Sequence, residues 1–262
     1  MSRMSKCFLL IVIAVLSACV TVEEGGGGKV DKKKMLESNI KLGMAYLNQG
    51  QRDSALRAFS RALEADKNSA EAQMGMALIH QVNGEMEMAE KRFQKALKVR
   101  SDFSRANIEF SYGRFLMDQK KYEEAIAYFE SASKDLTYRS RVKAIYNLGL
   151  CAEKLDDELR AIRSYEHALN INPNFAPAAL ELAHKKFAAE EFPLAKRYLD
   201  SFAKNARQSA RSLWLGIRIE RIFENKDKEA SYVLALKNLH PYSREYLQYK
   251  QLIASEAAAS GK

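Results

Sequence analysis

The sequence predicts an all-α fold, a superhelical solenoid of six helix pairs closed by a C-terminal capping helix. Three observations point there. Ala55, Ala89, Ala125, Ala161, Ala195 and Ala230 recur at spacings of 34, 36, 36, 34 and 35 residues, each near the start of an apolar pattern with helical period. Breakers are scarce, since the 262 residues hold only 4 prolines and four of the 12 glycines form one run. The remainder is rich in Ala, Leu, Lys, Glu, Arg and Gln, which are strong helix formers. With 47% hydrophobic residues the chain can build a core and is too apolar to be mainly disordered.

Residues 1–18 read as a signal peptide. Arg3 and Lys6 supply the positive start, and the apolar stretch from Phe8 to Leu16 is shorter than the roughly 20 residues a bilayer-spanning helix needs. Leu16 stands where ordinary signal peptidase wants a small side chain. Leu16-Ser17-Ala18-Cys19 instead resembles the bacterial lipobox, in which the cysteine becomes the first mature residue. A thiolate is the nucleophile suited to forming a thioether with a lipid. The resemblance implies a covalent diacylglycerol and an N-acyl (palmitate-type) chain on Cys19, and no other cofactor. Two or more chains, each buried methylene contributing about 0.8 kcal/mol, hold a protein on a membrane surface without spanning it. By resemblance to Gram-negative lipoproteins, Val20 is not the aspartate that retains such proteins at the inner membrane. The implied place is the periplasmic face of the outer membrane.

Residues 19–35 contain Gly25-Gly26-Gly27-Gly28 and read as a flexible tether, reaching roughly 20 Å as a coil. The formal net charge of +9 falls to +7 once Arg3 and Lys6 leave with the leader. The short run Lys32-Lys33-Lys34 reads as a solvated face or linker, and no nucleic-acid signature accompanies it. Loss of Cys7 and lipidation of Cys19 leave Cys151 as the sole thiol. It sits in Leu148-Gly149-Leu150-Cys151-Ala152, an apolar helical context that predicts a buried packing residue.

Residues 36–244 carry the six repeats. Four residues after each alanine stand Phe59, Phe93, Phe129, Tyr165, Leu199 and Leu234, and three further on Ala62, Ala96, Ala132, Ala168, Phe202 and Lys237. Leu42-Gly43, Tyr112-Gly113 and Leu148-Gly149 lie upstream, with Ala183 and Arg218 at the corresponding glycine position of the fifth and sixth units. These residues resemble the tetratricopeptide repeat, whose first helix carries Leu-Gly and whose second carries Ala, an aromatic and Ala. Small residues let helices approach closely while the ring fills the gap beside them. The fourth unit is the most complete, with Leu148, Gly149, Ala161, Tyr165, Ala168 and Pro173. Pro193 suits the first turn of a helix. In residues 245–262, after Pro241, Ser243 can cap a final helix whose Tyr246, Tyr249 and Ile253 would cover the last repeat.

Local sequence builds no catalytic constellation. Gly28-Lys29 is followed by Val30 where a phosphate loop needs Ser or Thr, and no strand precedes it. His80, His167, His184 and His240 form no zinc motif and no nucleophile–base pair. The chain is therefore expected to bind proteins and not to be an enzyme.

The lipobox, short Gly-rich tether and six repeats together are similar to the type IV pilus biogenesis and stability lipoprotein family of PilF and PilW, and Leu42 to Leu56 is the stretch most like it. That resemblance implies a monomeric pilotin that binds a secretin subunit, carries it to the outer membrane and promotes its multimerisation. Two other lipoprotein classes share parts of the pattern: the repeat lipoprotein of the outer-membrane barrel-assembly machine and regulators of peptidoglycan enzymes. In the repeat family, partners lie along first-helix positions two, five, nine, twelve and thirteen. Those positions give Glu37, Ile40, Met44, Leu47 and Asn48 in the first unit, and Glu71, Met74, Leu78, Gln81 and Val82 in the second. Third and fourth units carry charge there, with Arg114, Asp118, Lys143, Glu153 and Lys154. Ile40, Met44, Leu47, Met74 and Leu78 therefore form the expected apolar landing site for a helix or hydrophobic peptide.

Overall fold

The structure is a computed structural model that describes residues 31–260; the leader, Cys19 and the glycine run lie outside them. Thirteen helices and no strand occur among the described residues. They run as six pairs: α1 (Lys32–Asn48) with α2 (Arg52–Ala65), α3 (Ala70–Val82) with α4 (Met86–Lys98), α5 (Arg105–Asp118) with α6 (Tyr122–Lys134), α7 (Arg141–Lys154) with α8 (Glu158–Ile171), α9 (Ala176–Ala188) with α10 (Phe192–Asn205), and α11 (Ala210–Ile222) with α12 (Lys226–Leu239). A single helix, α13 (Arg244–Ser260), follows. The described chain divides after Asn68 into two compact units, the first pair and all that follows.

The first helix begins inside the segment expected as a tether, at Lys32. Asp31 caps α1 by accepting from the backbone N–H groups of Lys33 and Lys34 at 3.1 and 3.3 Å, so the lysine run forms a first helical turn. A carboxylate at the N-cap satisfies two otherwise orphaned donors, which outweighs the poor placement of lysines there.

Within the first unit, Phe59 is fully buried and its ring lies against Gly43, where a Cβ would come within 2.7 Å. The fourth pair repeats this more tightly: a Cβ on Gly149 would stand 2.5 Å from Tyr165 Cε1. Ala55, Ala89, Ala125, Ala161 and Ala195 are all fully buried, as are Phe93, Phe129 and Tyr165. Each buried ring contributes about 1.5–3 kcal/mol, and the glycine or alanine opposite sets how near the paired helices come. Cys151 is buried in the same core, among Leu148, Ala152 and Ala161. Burial pushes its thiol up to about 12, which keeps it protonated and inert.

A second feature keeps the register. Each first helix ends in a residue of left-handed conformation, at Gly50, Gly84, Lys120, Asp156, Glu190 and Glu224, with φ between 55° and 81°. The following residue then donates its N–H back to the helix, Gln51 to the Tyr46 carbonyl at 2.8 Å in the first pair and Asn225 to the Glu220 carbonyl at 2.9 Å in the last. This closes the otherwise open carbonyls at the helix end. The turns are spaced 34, 36, 36, 34 and 34 residues apart, and in the first five pairs the repeat alanine lies five residues later.

That spacing corrects the sixth unit by one residue. Its counterparts of alanine, aromatic and alanine are Glu229, Val233 and Leu236, not Ala230, Leu234 and Lys237. Leu236 is fully buried, whereas Leu234 is 58% exposed and Ala230 and Lys237 are exposed. Counted from the turn, the fully buried Ile217 takes the glycine place and Arg218 position nine, while the close approach itself is made one residue earlier, at Gly216, where a Cβ would come within 2.9 Å of Tyr232.

The last helix caps the sixth pair through two of its three expected residues, since Ile253 is exposed. Ser243 Oγ accepts from Tyr246 N–H at 3.1 Å, and Tyr246 and Tyr249 pack on the buried Leu213, Ile217 and Leu236.

Candidate functional site

The first helices of the pairs present the positions from which repeats of this kind bind partners, and the structure sorts the expected residues into two groups. Ile40 and Met74 are each 6% exposed. Met74 lies in the core beside Ala77 and Phe93. These two are corrected from surface to packing residues, because an apolar side chain with a helix neighbour gains more by burial than by facing water. Met44, Leu47 and Leu78 stay half-buried, although Leu78 also rests on the core. In the first unit the open apolar residues thus narrow to Met44 and Leu47 on α1; in the second, only the outer part of Leu78 on α3 stays open. Cys19 lies outside the described residues.

Charge builds the opposite end of the second unit. Lys185 Nζ on α9 lies 2.9 Å from Glu153 Oε1 on α7, and the Tyr165 hydroxyl donates to Glu153 Oε2 at 3.0 Å. Burial opposes ionisation of Glu153, but these two donors together hold its carboxyl below the usual range. Arg211 on α11 grips Glu181 on α9 through two parallel bonds of 2.7 Å. Glu181 is 8% exposed, and a planar guanidinium is the cation whose geometry matches a carboxylate twice over. Both pairs link first helices of successive repeats. Breaking either by removing one partner leaves a desolvated charge, so they fix register as well as adding stability.

His184 on α9 sits beside this network. Burial, followed by the positive charges of Arg211 and Arg218, pushes its imidazole down to about 4, so it is neutral at pH 7. Arg218 lies with its guanidinium carbon 4.5 Å from the ring centre of Phe187 and 5.4 Å from that of Trp214.

Reading the sequence alone overlooked Arg211, Trp214 and Arg218. With Ala230 as anchor, Arg218 falls on the glycine position and the other two on positions that face no partner. Anchoring on the turn at Glu224, 34 residues after Glu190, places Arg211, Trp214 and Arg218 at positions two, five and nine. Ala230 misled because an exposed alanine carries no packing information.

Among the described residues no group of three or more His, Cys, Asp or Glu side chains could hold a metal ion, and no helix is long and apolar enough to cross a membrane. The arrangement can bind and align polypeptide.

Comparison with known proteins gives the same architecture. The tetratricopeptide repeat family matches residues 40–104, 82–138 and 142–175. The type IV pilus assembly protein PilF of Pseudomonas aeruginosa is 37% identical over 245 residues, covering 92% of this chain and 96% of that protein. A solved structure from the functional characterization of Pseudomonas aeruginosa PilF superposes with a TM-score of 0.78, covering 84% of this chain and 98% of the other at 37% identity. The crystal structure of PilW, described as a widely conserved type IV pilus biogenesis factor, gives a TM-score of 0.69 at 28% identity, covering 82% and 98%.

Proposed function

Because this chain belongs to the tetratricopeptide-repeat family of type IV pilus biogenesis proteins that includes PilF and PilW, we propose that it is the lipid-anchored factor that binds a secretin subunit and promotes its multimerisation at the outer membrane. The observation that carries the reading is the 37% identity to PilF, sustained over 92% of this chain and 96% of the relative. Cys19 would carry the lipid, leaving the helical repeats tethered at the periplasmic face. Met44 and Leu47, half-buried and on one helix, then suit an apolar segment of the secretin: unbranched methionine repacks around different surfaces, and leucine adds area. The role proposed is non-catalytic and the working form a monomer.

Co-purification tests it. Tagged chain extracted from detergent-solubilised envelopes should retain the secretin. Met44→Gln with Leu47→Gln should release it, at about 1–2 kcal/mol for each lost contact, while the circular dichroism melt stays unchanged. Retention of a barrel-assembly subunit or a peptidoglycan enzyme in place of the secretin would refute the assignment.

A further inference from the structure

Where α11 meets α13, both within the second unit, a cleft of about 350 Å³ is lined by Arg211, Trp214, Arg218, Arg244, Glu245 and Gln248. Its charges are not equally spent. Arg211 is committed to Glu181 by both nitrogens, whereas Arg218 and Arg244 have no carboxylate within ion-pair distance among the described residues, Glu245 included. Arg218 is held in place by aromatic faces on two helices, Phe187 of α9 and Trp214 of α11, and its Nε is buried without a hydrogen-bond partner. His184 Nε2, at the same position nine of the preceding repeat, is likewise buried and unpartnered. A donor left orphaned in a buried place costs about 1–3 kcal/mol, and a guanidinium between rings is desolvated but not neutralised. Such a group lacks an acceptor bearing negative charge.

We infer that this cleft is a second partner-binding site, one that takes an acidic side chain flanked by an apolar residue from a protein segment lying along the first helices of the fifth and sixth repeats. The carboxylate accepts from Arg218, with Arg244 supplying the outer charge. The neighbouring apolar side chain lies on the exposed part of Trp214. A peptide is favoured over a lipid phosphate because the lining pairs the Arg218 guanidinium with the aromatic faces of Phe187 and Trp214, which suits a carboxylate side chain beside an apolar one. Positions two, five and nine carry the cleft on α11, and Glu245 and Gln248 continue positions two and five on α13, so the lining follows the track along which such repeats hold extended polypeptide. The inference is independent of the secretin assignment.

Trp214 is the only tryptophan in the sequence, so its emission reports this cleft alone. The full chain is titrated with the capped peptide N-acetyl-Leu-Glu-Leu-amide and with its Gln twin, in the millimolar range. The acidic peptide should change the emission saturably and the twin should bind about tenfold more weakly, as loss of one charge-assisted hydrogen bond requires. Arg218→Gln should erase the preference, Arg218→Lys should keep part of it, and Arg244→Gln, at an exposed position, should reduce it several-fold with the melt unchanged. Should Arg218→Gln fail to fold, Arg244→Gln carries the test. Equal titration by both peptides, no saturable change with either, or a response to phosphatidylglycerol vesicles without one to the acidic peptide would each overturn the inference.

Discussion

Replacing Gly149 by alanine probes how closely the repeat helices must approach. The added methyl would stand 2.5 Å from Tyr165 Cε1, 2.8 Å from Cδ1 and 3.1 Å from Ser164 Cβ. Tyr165 cannot simply swing away, because it is fully buried and its hydroxyl donates to Glu153 at 3.0 Å. Overpacking of this kind costs about 1–3 kcal/mol, offset by about 1 kcal/mol of helix propensity gained when alanine replaces glycine. A net loss of up to about 2 kcal/mol follows. The second pair seats Ala77 in the equivalent place against Phe93, both fully buried, so the penalty belongs to the local helix spacing and not to the residue type. The fifth pair offers the relief: Ala183 faces Leu199 there. Combining Gly149→Ala with Tyr165→Leu reproduces that pairing, and the double variant should be more stable than the sum of the singles by about 1–2 kcal/mol. Urea melts followed by circular dichroism measure all four chains, with unchanged slopes confirming that only stability moved. A stabilising Gly149→Ala, or strict additivity in the cycle, would refute the reasoning.

Further outcomes follow from the turns, the histidine and the thiol. Lys120 holds φ at 61° in a turn that glycine occupies at Gly50 and Gly84, so Lys120→Gly should raise the unfolding free energy from urea melts by about 0.5–1 kcal/mol, the left-handed strain less glycine's entropy; a lowered midpoint would contradict the turn geometry. His184 stays neutral in the fold down to about pH 4, whereas the unfolded chain takes up its proton near the ordinary value of 6.5. Between those limits the unfolded state binds more protons, so stability falls as pH drops from 6.5 to 4, by up to about 1.4 kcal/mol per unit. His184→Gln should flatten that slope, and an identical slope in both chains would show that His184 is not the group. Cys151, buried and raised to about 12, should resist thiol labelling in native buffer and react on unfolding; rapid native labelling would overturn its packing role.

The helix pairs were legible in the sequence because Ala, aromatic and Ala at fixed spacing are demanded by close packing, and the first four units bear that demand out in fully buried side chains, while the fifth buries Ala195, Leu199 and Phe202 in the same places. Cys151 was legible for the same reason, as was the Ser243 cap. Two kinds of information were not. Exposed residues such as Ala230 obey no packing rule, so a match there carries no register, and the sixth unit slipped by one residue. Composition likewise does not separate an apolar groove residue from an apolar packing residue: Ile40 and Met44 occupy comparable positions on α1, yet only Ile40 is buried. The Arg218 cleft depends on both, since it needs the right register and the knowledge that Arg211 has a partner while Arg218 does not.

Fractionation of the secretin tests the central proposal most directly. In a strain lacking this chain, secretin multimers should be lost from the outer-membrane fraction. The wild-type gene should restore them there, and a chain with Cys19→Ser should leave them mislocalised. Normal numbers of outer-membrane secretin multimers in the strain lacking the chain would contradict the account.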